Sequence, residues 1–175
     1  MPLSSAGLIV CGPMLRRVDA NGLCVFVALK EARDVRLALY DGTAAGATAL
    51  EKGTWAPARE FGASLRALAA TLEPAAGLQP KRVYGYDVEF RNPATGQVDT
   101  LDSLALLDGT LPLGYAKHER PGFALPSSDL AEVRLVHASC RLPSGEGPDV
   151  LPILDDIIEQ SRTSATNRPR RSDRP

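Results

Sequence analysis

Along the first two-thirds of the chain, apolar residues recur at every second position in short runs separated by turn formers. That is the pattern of half-buried strands. Asn21-Gly22 signals a turn ahead of a strand over residues 23–29. A second strand, residues 35–40, sets Val35, Leu37 and Leu39 against Arg36, Ala38 and Tyr40, then stops at Asp41-Gly42. Residues 43–62, rich in Ala, Gly and Thr, read as a long loop with Trp55 as an anchor. Residues 64–72 are ambiguous, because their alanines permit helix while the flanking turns suit a strand. Residues 82–90 are clearer: Tyr84, Tyr86, Val88 and Phe90 make one apolar, mainly aromatic face, opposite Val83, Gly85, Asp87 and Glu89. A turn at 92–96 then allows residues 97–101 to return as a hairpin partner.

The pattern changes after Asp108. Residues 111–125 read as loop and 126–130 as a capped turn. A strand over 133–140 is apolar on both faces, which suits the interior of a covered sheet. After a Gly/Pro loop at 143–148, residues 149–161 form the best candidate helix. Val150, Ile153, Leu154, Ile157 and Ile158 share one face, Asp149 can cap it, and Pro152 falls in its first turn. The expected fold is therefore mainly β. An immunoglobulin- or fibronectin-like β-sandwich over residues 1–126 precedes one strand and one helix of an incomplete α/β domain over 127–161. An arginine-rich tail over 162–175 is expected to be disordered.

Composition narrows the function classes. With 44% apolar and 23% charged residues among 175, the chain is an ordinary globular protein with enough length for one buried core. Net charge is −1, but the tail holds five arginines against one aspartate, about +4, leaving the body near −5. An acidic body gives no reason to expect nucleic acid as a partner. Cys11, Cys24 and Cys140 lack zinc-ligand spacing and are odd in number, so no disulfide framework is expected. Cys11 and Cys24 lie in apolar runs and read as small buried hydrophobes, and reduced thiols fit a cytoplasmic setting. Arg16-Arg17 ahead of residues 23–29 imitates an export signal, but no small-residue cleavage site follows. No stretch approaches the roughly 20 apolar residues that span a bilayer, so no membrane is expected.

Candidate chemistry is sparse. Cys140 ends the 133–140 strand before a glycine loop and a helix, where layered α/β proteins place reactive or metal-binding groups. His137 falls in the opposite phase of that strand and reads as a core histidine; His118 reads as a loop residue. Asp155-Asp156 sit opposite the apolar stripe of the helix and read as solvated. Gly145-Glu146-Gly147 precedes a helix N-terminus, but Glu146 opposes a bound phosphate. Neither a Ser-His-Asp relay, a P-loop nor a Cys-x-x-Cys pair is present.

Four segments carry a family resemblance: residues 12–18, the strand 24–29, Val83-Tyr84-Gly85-Tyr86-Asp87-Val88, and above all Phe123-Ala124-Leu125-Pro126 through Arg134-Leu135-Val136-His137-Ala138-Ser139-Cys140-Arg141. With the helix that follows Gly147-Pro148-Asp149, they resemble the start of PhoD-like (alkaline phosphatase D) metallophosphoesterases. The resemblance implies an N-terminal β-sandwich ahead of a phosphatase domain that hydrolyses phosphate esters at iron and calcium. It also implies that Cys140 is an iron-ligating thiolate. The family's Gly-Asp-x-Ile-Tyr segment and its later Asp, Asn and His ligand loops have no counterpart in this sequence. One thiolate cannot hold calcium or complete a bridged centre. The expectation is a truncated homologue that binds neither ion and is inactive alone. Its alternatives are a non-enzymatic β-sandwich binding module, or one half of a split phosphatase whose partner chain carries the missing catalytic half.

Overall fold

The computed structural model describes residues 7–108, 112–114 and 119–133, with Leu154, Ile157 and Ile158 beyond them. It is mainly β. Among the described residues, ten strands run in chain order: β1 (Ile9–Asp19), β2 (Gly22–Leu29), β3 (Asp34–Asp41), β4 (Ala49–Lys52), β5 (Ala56–Pro57), β6 (Arg59–Glu60), β7 (Arg66–Leu72), β8 (Val83–Arg91), β9 (Val98–Asp99) and β10 (Gly122–Ala124). They form two antiparallel sheets. The smaller has the order β1-β2-β7-β6; the larger has β10-β8-β3-β4, with β5 added on β3 and β9 on β8.

The β1–β2 connection shows how local chemistry sets the start of a sheet. Asp19 Oδ1 accepts from the Asn21 and Gly22 amides at 2.9 and 3.2 Å, closing the turn that the Asn-Gly pair signals. The two sheets then close on one core. Leu23, Val25, Val27 and Leu29 from β2 and Ala70 and Leu72 from β7 meet Val35, Leu37 and Leu39 from β3 and Tyr84, Tyr86, Val88 and Phe90 from β8. Each fully buried Val, Leu or Phe in that set is worth about 1.5–3 kcal/mol of transfer free energy. The alternation read in residues 35–40 and 82–90 is thus the inward face of the larger sheet. The ambiguous stretch 64–72 resolves as strand β7, because Ala70 and Leu72 sit opposite Val25 and Leu23 in a register that buries both sides.

Three expectations need correction. The stretch 43–62 is more than a loop: β4, β5 and β6 pair there, too short for two-residue alternation to reveal them. The stretch 111–125 is not all loop: Gly122–Ala124 forms β10 and pairs with β8, again too short for alternation to reveal it. Cys11 and Cys24 are not buried; Cys11 is exposed and Cys24 half-buried. Cys24 lies between Leu23 and Val25, so it points away from the core they enter. Cys11 pairs with Ala28, one residue before the core-facing Leu29, which puts it on the same outer face.

The first compact unit runs from Met1 to Val133 and the second from Arg134 to Pro175. Near the end of the first, Asp129 caps a short 3-10 helix, Leu130–Glu132, its carboxylate accepting from the Ala131 amide at 2.9 Å. Glu132 pairs with Lys81 and accepts from Ser127 Oγ at 2.6 Å. The expected strand 133–140 lies outside the described residues except for its first, Val133, and the tail 162–175 lies wholly outside them. Of the expected helix 149–161 only Leu154, Ile157 and Ile158 are described, each helical, which does not establish the element. Among the described residues, no helix is long and apolar enough to cross a membrane.

Candidate functional site

Cys140, the one residue singled out as a metal ligand, lies outside the described residues, as do His118, His137, Asp155, Asp156, residues 145–147 and the tail arginines. The described chemistry concentrates instead on the outer face of the larger sheet. β3 and β8 run antiparallel with Asp34 opposite Arg91, Arg36 opposite Glu89 and Ala38 opposite Asp87. The register that joins Val35 to Phe90 and Leu37 to Val88 in the core sends these pairs to the other side.

The result is a charge ladder. Arg91 donates from Nε and Nη2 to Asp34 Oδ2 at 3.1 and 2.7 Å. Arg36 donates from Nε and Nη2 to Glu89 Oε2 at 2.7 and 2.6 Å. Lys52 sits opposite Ala38 on β4, and its Nζ reaches Glu89 Oε1 at 2.5 Å. Over this layer lies Trp55, with the guanidinium carbons of Arg36 and Arg91 at 4.2 and 4.7 Å from its ring centroid. The Glu89 side chain is only 5% exposed. Burial alone pushes its carboxyl up, but the hydrogen bonds and charges of Lys52 and Arg36 outweigh it and hold the group below the usual glutamate value.

One step along β8 the environment reverses. Asp87 is 4% exposed and accepts from the Leu101 amide at 3.0 Å, which anchors the turn after β9. Burial raises its pKa and wins over the opposing backbone amides of Leu101 and Val88 and the charge of Arg120. Arg120 lies 3.9 Å over the Tyr40 ring and donates from Nη1 to the carbonyls of Ala44 and Ala45 at 2.8 and 3.1 Å. Its Nε is buried without a hydrogen-bond partner. Gly85 is required here, since a Cβ would run into the Gly42 carbonyl oxygen where the 42–43 segment crosses β8. On the core side, burial pushes the Tyr86 hydroxyl up to about 12.

These groups make a framework rather than a reaction centre. Glu89 is engaged by two cations and Asp87 by backbone amides, and a general base must be within reach of a substrate proton. Among the described residues, no group of three or more His, Cys, Asp and Glu comes together to hold a metal. Cys11 and Cys24 are on adjacent strands but in different cross-strand pairs, with Ala28 and Arg17 respectively. The described residues therefore do not fit the iron and calcium that the resemblance implies. The ladder did have a signal in the sequence: Asp34-x-Arg36 laid antiparallel to Glu89-x-Arg91 matches each acid to a base. Trp55, expected as an anchor, caps that ladder.

No known family description and no curated protein matches the chain.

Proposed function

We propose that the chain is the N-terminal portion of a PhoD-like phosphodiesterase or alkaline phosphatase. In this reading an immunoglobulin- or fibronectin-like β-sandwich is its scaffold module, without turnover of its own. The Ser139-Cys140-Arg141 sequence at the end of an apolar stretch carries the reading. A sandwich of two antiparallel sheets ahead of that stretch agrees with the order the resemblance implies. Cys140 would then contribute one thiolate to a centre whose remaining ligands belong to a catalytic half on a partner chain or a longer polypeptide. A hard cation needs several oxygen ligands, so the thiolate alone binds no calcium.

The test is an assay of the purified chain with p-nitrophenyl phosphate and bis-p-nitrophenyl phosphate, with iron and calcium added. The expected result is no turnover above the metal-only blank. Turnover that Cys140→Ala abolishes overturns the claim that the chain is inactive alone.

A second reading, a non-enzymatic binding module, rests on a separate observation. Among the described residues, the buried core, from Leu23 to Leu125, lies within the compact unit that ends at Val133. A chain ending at Val133 that melts as cooperatively as the full one shows that the sandwich stands alone, which both readings require. Rescue of phosphatase activity by a chain carrying the Gly-Asp-x-Ile-Tyr segment then favours the scaffold reading, and failure of rescue favours the module.

A further inference from the structure

We draw no further inference here: the strongest candidate, the largely uncharged outer face of the smaller sheet around Met14, Phe26 and Ala69, carries nothing because nothing in the structure shows what covers it.

Discussion

The two outer faces of the sandwich are built on opposite principles. On the larger sheet, Asp34, Arg36, Lys52, Glu89 and Arg91 interlock beneath Trp55, so charge is paired and partly shielded from water. On the smaller sheet, Met14, Phe26 and Ala69 line up across β1, β2 and β7, flanked by Cys11, Ala28 and Ala67 on one side and by Cys24 and Thr71 on the other. The charged residues in register on that face lie on its edge strands: Arg17, ion-paired with Asp19, on β1 and Arg59 on β6. The contrast shows that a polar outer face can be as tightly specified as a core. A one-residue slip of β8 against β3 would set like with unlike on both sides at once, breaking ion pairs outside and apolar pairs inside.

The largest effect is expected at the centre of the ladder. Glu89→Ala leaves Arg36 and Lys52 without their shared partner on a half-buried surface, a loss on the order of 3 kcal/mol. Urea unfolding at neutral pH measures it; a loss below about 1 kcal/mol would show that water already screens the site. The same pair fixes the sign with pH. A carboxylate whose folded pKa is depressed adds stability that is present above its unfolded value of 4.5 and is lost as pH falls through the folded value. Wild type and Glu89→Gln should therefore converge in stability as the pH is taken well below 4.5.

Trp55→Ala comes next, at about 2 kcal/mol. It removes two cation–π contacts of about 0.5–1 kcal/mol each, together with the apolar area of a half-buried indole. Trp55→Phe should recover part of the loss, and thermal melts of the two variants separate ring contact from bulk.

How far the sequence reveals all this follows from strand length and register. β2, β3 and β8 are eight, eight and nine residues long and sit in the core, so their alternation or apolar run is plain. β1 is longer, yet no alternation marks it. Register shifts between Ile9 and Cys11, Cys11 and Met14, and Leu15 and Arg17 change which face each residue meets, and Pro13 lies within it. Such a proline is tolerated because β1 is an edge strand. β7 hides behind alanines that favour helix, and pairing with its neighbours, chiefly β2, decides for sheet. The ladder needs register as well: its residues are visible as the polar phase of two strands, but which acid meets which base is a property of the pairing.

Asp87→Asn should act in the opposite sense to Glu89→Ala, by on the order of 1 kcal/mol. The amide keeps an oxygen to accept the Leu101 amide, while the charge that burial penalises is gone. A group whose folded pKa is raised favours the fold while protonated, so wild type loses that contribution as pH rises from 3.8 through the folded value. The variant should be more stable than wild type at neutral pH and equal to it in acid, where both side chains are neutral. A variant less stable at pH 7 would mean that the attraction to Arg120 outweighs the desolvation of Asp87.

The smallest effect is the one that tests the contrast itself. Ala69 is exposed on β7 opposite Phe26, with apolar neighbours. Ala69→Lys adds a charge to a face that water reaches, where surface changes stay within about 0.5 kcal/mol. The lysine stem can lie along the Phe26 ring with its ammonium in solvent. Urea unfolding that shows a loss above about 2 kcal/mol would mean that this face is covered when the protein is folded. The two outer faces would then differ in what packs on them, and no longer in whether anything does.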